Sequence, residues 1–329
     1  MSAPARVEPT VIWRPQPGSQ ELFLSCPIFE VLYEGTRGPG KTDALLMDFA
    51  QHVGHGFGPE WRGIIFRREY KELADLVKKS KKWFKQIFPA ARFLESQSDF
   101  KWKFPDGEEL LFRTAKRPDD YWNYHGHEYP FIGWEELTNW PDLKLYLDMM
   151  SVCRSTNSEV PRKYRATANP YGVGHNVVKA RFIDPAPAGV VIRDDEGRER
   201  VRIHGSIFEN KILLEADPQY LSNLKSITDK NKRRAWLEGD WDIVAGGALD
   251  DVWDRDVHVI PPFKIPSSWY VDRSFDWGSS KPFSVGWWAE SDGAPAVLKD
   301  GTKKHYPRGT LFRIAEWYGW TGNPNEGLR

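Results

Sequence analysis

The chain of 329 residues has very little cysteine, no excess of charge of either sign and no long apolar run. Its two cysteines, Cys26 and Cys153, are too few and too far apart for a thiolate metal site or a disulfide framework, which fits a reducing compartment. Lys and Arg together number 46, as do Asp and Glu, so the chain lacks the basic charge of a nucleic-acid coat protein. No run approaches a membrane span, and residues 1–18 lack the apolar core of a signal peptide. The composition predicts a soluble protein in which any nucleic-acid contact comes from local patches.

Short apolar runs alternate with stretches of helical spacing through the first part of the chain. Residues 29–35 and 63–67 read as buried strands, and residues 41–53 and 71–88 read as amphipathic helices. Further strands are predicted at 129–134 and 163–168, and hairpins at 100–114 and 189–204. This alternation predicts an α/β fold with a mostly parallel central sheet and short antiparallel additions.

We predict a second domain in the later part of the chain, because a domain usually contains roughly 150 residues. A polar helical stretch at 217–237 leads into glycines and prolines, including Gly246 and Gly247, that suggest a boundary. Strands follow at 269–277, 283–289 and 309–317. Three strands enclose little core, so this second domain looks cut short.

A phosphate-binding loop is predicted where the first strand meets the first long helix. The stretch fits G-x-x-x-x-G-K-[ST] in full and consists of Gly35, Thr36, Arg37, Gly38, Pro39, Gly40, Lys41 and Thr42. Glycines let the backbone N–H groups surround phosphate oxygens, and the helix N-terminus adds its positive dipole end. Lys41 is expected to neutralise the β and γ phosphates, and Thr42 to bind Mg²⁺. The alternative is a glycine-rich turn that matches by chance, and the strand and helix on either side favour an ATP site.

Two adjacent acids end the predicted strand at 129–134. Hydrolysis at such a loop needs one acid to hold Mg²⁺ and commonly a second to orient or deprotonate the attacking water. We assign the metal to Glu135, directly or through water, and the water to Glu136. Strand alternation would point the two side chains apart, but the strand ends here and its tip can turn. The alternative is a surface pair opening a helix at Leu137.

With these motifs in this order, the sequence resembles the large subunit of phage terminases over nearly its whole length. The resemblance implies that Arg37, three residues before the last glycine of the loop, stabilises transition-state charge in cis. It implies that a glutamine upstream of the loop contacts adenine; Gln20 matches best, and Gln16 remains open. The family usually has Asp-Glu where this chain has Glu135 and Glu136, so the resemblance implies that Glu135 holds Mg²⁺ from one methylene further out.

The resemblance also implies a coupling segment after the strand at 163–168. It consists of Thr167, Ala168 and Asn169 before Pro170, and it would sense the γ-phosphate and pass the change to a lid. An ordinary Asn-Pro turn is the alternative. For Arg154, a role near the nucleotide or a neighbouring subunit and a structural ion pair both stay open.

The family's domain plan implies an ATPase core at 1–205, a lid and linker at 206–262 and the start of an RNase H-like nuclease at 263–329. Gly239-Asp240-Trp241 and Gly246-Gly247-Ala248 resemble the link, and Asp276 matches the first metal-binding carboxylate. Cutting DNA with Mg²⁺ or Mn²⁺ requires several carboxylates. Glu316 is a poor substitute for the missing ones, so the nuclease is expected to be incomplete.

The function implied is an ATP-driven motor that moves double-stranded viral DNA into a procapsid in the host cytoplasm. The implied partners are double-stranded DNA, the portal protein, the small terminase subunit and further copies of the chain in a ring, with a monomer in solution and no membrane. A helicase-like or other nucleic-acid ATPase is the first alternative. A nucleotide-dependent binding module is the second.

Overall fold

The computed structural model describes residues 11–96, 99–243, 255–277 and 282–319. The chain divides into two compact units, Met1–Val252 and Trp253–Arg329, and each has sheets of its own. Within the described ranges, no helix has both the length and the apolar character needed to cross a bilayer.

The first unit contains a nine-stranded sheet with the spatial order β3-β4-β5-β2-β6-β7-β1-β9-β8. Its strands are β1 Glu30–Gly35, β2 Arg62–Arg67, β3 Arg92–Leu94, β4 Lys101–Lys103, β5 Glu109–Thr114, β6 Phe131–Trp134, β7 Lys163–Thr167, β8 Ile192–Arg193 and β9 Glu199–Gly205. The strands from β5 to β9 in that order are all parallel, while β3 and β4 at one edge and β8 at the other are antiparallel. The predicted α/β fold, with its mostly parallel sheet and antiparallel additions, is confirmed.

In chain order, the helices of the described residues come before, between and after the strands of the large sheet. They are α1 Ser19–Ser25, α2 Lys41–Ala50, α3 Leu73–Ile87, α4 Lys144–Asp148, α5 His175–Val178, α6 Lys211–Ala216, α7 Tyr220–Lys225, α8 Lys230–Arg233 and α9 Arg255–His258. A capping box formed by Glu69 and Glu72 precedes α3. The apolar face of α3 buries Leu76 and Phe84, and full burial of each such side chain contributes about 1.5–3 kcal/mol. Ile87 ends the helix two residues before Pro89.

The helical stretch predicted at 217–237 is interrupted. α6 ends just before Pro218, because proline cannot continue a helix. A later helix, α8, begins after Asp229, whose side chain caps it by accepting a hydrogen bond from the N–H of Lys232. α8 continues as a π-helical turn, Arg234–Glu238, which ends at Gly239. The prediction was right about helical structure and wrong about its continuity.

Apolar side chains pack on both faces of the large sheet, as its parallel strands require. Along β1, Val31 and Tyr33 belong to one core and Leu32 to the other, because successive side chains point to opposite faces. α2 and α3 cover the first face, whereas Trp140 and Phe182 belong to the core on the second. The two cores hold the strand ends in fixed register.

The second unit contains a three-stranded antiparallel sheet and a two-stranded one. Its strands are β10 Tyr270–Asp276, β11 Ser284–Glu290, β12 Ala296–Val297, β13 Lys303–Lys304 and β14 Leu311–Tyr318. β10 and β14 both pair with β11. Trp269, Ala289 and Ala296 form a small core with the rings of Phe263 and Phe312. The three predicted strands are present.

Candidate functional site

Polar residues meet at the carboxyl edge of the parallel sheet. β1 ends in the glycine-rich loop, and β2, β6 and β7 end beside it with Arg67, Glu135 and Thr167. Because parallel strands share one carboxyl edge, residues far apart in sequence converge there, which is where ligands of open α/β sheets bind.

The loop at 35–42 is held by contacts with the residues after β9. Thr36 donates its N–H to the Gly205 carbonyl at 3.0 Å, and its hydroxyl accepts from the Ile207 N–H at 2.6 Å. The side chain of Asn210 donates to the Gly38 carbonyl at 2.6 Å. Gly40 has a left-handed φ of 87°, and a Cβ there would lie 2.2 Å from Nε2 of Gln20. The sequence therefore needs glycine at this position for both conformation and space.

Lys41 lies inside the loop as the first residue of α2. Its ammonium donates to the Thr36 carbonyl at 2.5 Å. Burial lowers the pKa of Lys41 to about 7, while the carboxylates of Glu34 and Glu136 oppose that shift. A buried ammonium short of counter-charge favours an anion in the loop.

Thr42, the acidic pair and an arginine form one connected group. The hydroxyl of Thr42 donates to Oε1 of Glu135 at 2.5 Å. Arg67 lies between the two acids, with its Nε 2.8 Å from Oε2 of Glu135 and its Nη1 2.6 Å from Oε2 of Glu136. Glu136 has a φ of 58°, a left-handed conformation rare for a residue with a Cβ. The turn predicted at the strand tip is present, and it brings both carboxylates to one side.

The charged side chains of this group shift one another's pKa values. Burial raises the pKa of the Glu135 carboxyl above its ordinary value, and the charge of Arg67 acts in the opposite direction. Burial also disfavours the charged form of Arg67, but the two glutamates outweigh it, so its pKa is raised. The guanidinium thus supplies the positive charge that two adjacent carboxylates require.

A cavity of about 540 Å³ opens beside the loop at Gly40. The side chains of Gln16, Gln20 and Asn210 line it together with Leu213. Gln20 is buried, donates to the Gly40 carbonyl at 3.0 Å, and accepts from the N–H of Gln16 at 2.7 Å. Both candidate glutamines thus lie at this cavity, and Gln20 is the one bonded to the loop.

The predicted coupling segment lies against the loop and the acidic pair. Thr167 accepts from the Glu136 N–H at 3.1 Å, and the Asn169 side chain donates to the Gly35 carbonyl at 2.9 Å. Ala168 between them is buried and donates its N–H to the Tyr33 carbonyl at 3.0 Å. The segment touches both halves of the site.

Arg37 is an exposed residue of the loop. Its guanidinium carbon lies 3.3 Å from the ring centroid of Trp236, and its N–H donates to the Trp236 carbonyl at 2.8 Å. The predicted arginine is therefore stacked on a residue that sequence reasoning did not single out.

Three further residues were missed by the motifs. Arg67 ends a strand like many surface arginines, and only the pairing of β2 with β6 brings it to the acids. Glu34 is fully buried beneath the loop, where Arg202 and Trp241 both donate to it at 2.7 Å. An acidic residue within an apolar strand was the available signal for Glu34. Asn210, whose side chain bonds the loop, gave no signal.

The remaining candidates lie apart from this group. The side chain of Arg154 is exposed and its Nε lies 3.6 Å from Oε1 of Glu128. In the second unit, Asp276 is exposed at the end of β10, and Glu316 on β14 is paired with Arg313 at 3.1 Å. Among the residues that the structure describes, no three His, Cys, Asp or Glu side chains cluster as a metal site would. The predicted linker segment Gly246-Gly247-Ala248 falls outside the described ranges.

No protein-family model matches the chain, and no curated protein matches it either. Among solved structures, the chain is similar to the large terminase of a thermophilic bacteriophage, with a TM-score of 0.55 and 17% identity over 93% of this chain and 68% of that one. It is similar to the same terminase in complex with ADP, with a TM-score of 0.55 and 17% identity over 91% and 67% of the two chains. At this identity the likeness establishes the fold. The resemblance to large terminases is confirmed at that level.

Proposed function

We propose that the chain binds and hydrolyses ATP at the loop 35–42 and uses the energy to move double-stranded DNA, as the motor subunit of a phage packaging enzyme. The observation that carries the proposal is the convergence of Lys41, Thr42, Glu135 and Glu136 at one sheet edge. A chance glycine turn would not explain a buried lysine and an acidic pair on a separate strand at the same place.

The nucleotide would lie with its phosphates in the loop and its base in the cavity beside Gly40. The backbone N–H groups of Gly38, Gly40, Lys41 and Thr42 would bind the phosphate oxygens, together with the ammonium of Lys41. Gln20, which lines this cavity and bonds the loop, would contact the base, and Gln16 at the same cavity is the other candidate. The terminase of the thermophilic phage was solved with ADP, which supports a nucleotide at this fold.

The donor set beside the loop fits Mg²⁺. The ion prefers oxygen ligands and is bound through one or two carboxylates and substrate phosphates. Thr42 and Glu135 present such oxygens in contact with each other, and they are the residues that would hold the ion. Bound there, it would neutralise charge on the β and γ phosphates.

Hydrolysis then needs a base and a cation at the γ-phosphate. Glu136 would orient a water and accept its proton as the oxygen attacks the γ-phosphorus and ADP leaves. Arg37 would stabilise the developing charge. Through Thr167 and Asn169, which bond the Glu136 N–H and the Gly35 carbonyl, loss of the γ-phosphate would reach the residues that follow β7.

DNA movement, the portal and small-subunit partners, the ring assembly and the cytoplasmic location are proposed from the likeness to large terminases. The second unit is proposed as the start of an RNase H-like nuclease domain, with Asp276 as its first carboxylate, and the divisions at 205 and 262 remain predictions. We propose no cutting activity for these residues alone.

The test is ATP turnover of the purified chain with Mg²⁺, with and without double-stranded DNA. We expect turnover that Lys41→Ala abolishes, because the buried ammonium that neutralises the phosphates is removed. Lys144→Ala, at the start of α4, is a control that should turn over like wild type. Equal turnover in wild type and Lys41→Ala would refute the site, and ATP binding without turnover would favour a nucleotide-dependent binding module.

A further inference from the structure

The end of one helical stretch lies directly against the phosphate loop. α8 and the π-helical turn after it run from Lys230 to Glu238, and π-turns within helices occur often at functional sites. The last carbonyls of a helix have no partner within it. Here the Arg37 N–H donates to the Trp236 carbonyl at 2.8 Å, so the loop satisfies one of them.

Gly239, just past this helical stretch, fixes how near the two segments come. Its φ is 69°, and a Cβ there would lie 3.2 Å from both Cα of Gly35 and N of Thr36 and 2.7 Å from the ring of His204. Any other residue would be strained and would push the helix end away from the loop. The backbone around Trp236 is therefore held at a set distance from Arg37.

The other end of the stretch is also fixed. Asp229 caps α8 through the Lys232 N–H, and it accepts a hydrogen bond from the Tyr171 hydroxyl at 2.8 Å. Tyr171 follows the segment that bonds Glu136 and Gly35. Because both ends are anchored to residues around the site, the indole of Trp236 is a firm surface.

The guanidinium carbon of Arg37 lies over that surface. It is 3.3 Å from the ring centroid, well inside the range of a cation–π contact. The Arg37 side chain is exposed, and without the ring it would sample many rotamers. The contact keeps its charge beside the loop 35–42, of which Arg37 is a part.

We infer that Trp236 positions Arg37, holding its guanidinium at the phosphate site so that little rotamer freedom is lost when the transition state forms. Trp236 touches no phosphate in this account and acts through Arg37 alone. The inference rests on the proposed ATPase function. It predicts an effect on the chemical step and none on nucleotide affinity.

The test compares two replacements of the ring. Trp236→Leu keeps apolar bulk but removes the π face, and we expect kcat to fall about fivefold, with KM for ATP and the affinity for labelled ADP unchanged. Trp236→Phe keeps a π face, and we expect it to recover most of the lost rate. Trp122→Leu, at a tryptophan 68% exposed, is the matched control and should behave as wild type.

The double variant decides whether the effect passes through Arg37. In an Arg37→Ala background, Trp236→Leu should cause no further loss, because the side chain it positions is gone. Wild-type kcat in Trp236→Leu, failure of Trp236→Phe to recover the rate, or the same fivefold loss in both backgrounds would overturn the inference. If the thermal unfolding curve of Trp236→Leu shows that it does not fold, Trp236→Met, which also lacks a π face, replaces it in both backgrounds, with a loss only where Arg37 is present as the expected result. Absence of ATP turnover in the wild-type chain would instead refute the proposed function.

Discussion

The first unit contains two ion-pair clusters that are built in opposite ways. In the core, Asp48 is fully buried between two cations, with Lys163 Nζ at 2.6 Å and Arg165 Nε at 2.8 Å. At the sheet edge, one cation, Arg67, lies between two acids. The core cluster has more cations than acids and is enclosed, whereas the edge cluster has more acids than cations.

The two ion-pair clusters also differ in their exposure to solvent. The side chain of Glu136 is 40% exposed, and a cavity of about 560 Å³ adjoins Thr42, Arg67 and Glu135. Asp48, by contrast, is fully buried. A closed cluster can only stabilise or destabilise the fold, whereas an open cluster with surplus carboxylate can take up a metal ion and a water. Charge balance and solvent access thus distinguish a structural ion pair from one that can support the proposed catalysis.

The largest expected effect comes from removing the acid of the core cluster. Asp48→Ala would leave two buried cations without their counter-charge, and we expect the free energy of unfolding to fall by about 3–5 kcal/mol. Chemical denaturation measures it. Asp195→Ala, at an exposed turn, is the control and should stay within about 0.5 kcal/mol of wild type. An equally small change for Asp48→Ala would mean that the core cluster has no structural role.

Glu136→Gln should reduce activity and leave stability nearly unchanged, which is the reverse of the pattern expected for Asp48→Ala. We expect turnover to fall by about a hundredfold or more, since amide cannot accept the proton from water, while ATP binding and the unfolding free energy change little. Turnover assays and equilibrium nucleotide binding measure the two parts. Glu21→Gln, at an exposed position of α1, is the control. Unchanged turnover would remove Glu136 from the role of base.

Arg37→Ala is expected to have a smaller effect, a loss in kcat of about tenfold with similar nucleotide affinity. Steady-state kinetics with ATP would measure both. Arg193→Ala removes an exposed arginine that pairs with Glu199 at the far edge of the sheet and should leave both values unchanged. A rise in KM without a loss in kcat would show that Arg37 binds the ground state instead.

The smallest effect is expected in the second unit. Asp276→Asn should not alter ATP turnover, and the 329-residue chain should not cut plasmid DNA with Mg²⁺ or Mn²⁺, because the described residues assemble no set of carboxylates there. An agarose-gel assay with wild type and variant decides it. Efficient cutting that Asp276→Asn abolishes would show that the chain carries a complete nuclease site.

Local patterns predicted most of the fold and half of the site. The loop and the acidic pair have fixed spacings, and the strands have apolar runs, so each could be found from neighbouring residues. Arg67 and Trp236 could not, because their roles depend on which strand pairs with β6 and where a helix far downstream of the loop ends. The break near Pro218 was readable, but the polar helical spacing around it outweighed that signal in the prediction.

A crystal structure with a non-hydrolysable ATP analogue and Mg²⁺ tests the central claim most directly. We expect the triphosphate to accept hydrogen bonds from the backbone N–H groups of Gly38, Gly40, Lys41 and Thr42, with the ion on Thr42 and Glu135 and the base beside Gln20. Nucleotide bound elsewhere, or a loop closed over Lys41 with Glu135 turned away, would contradict it.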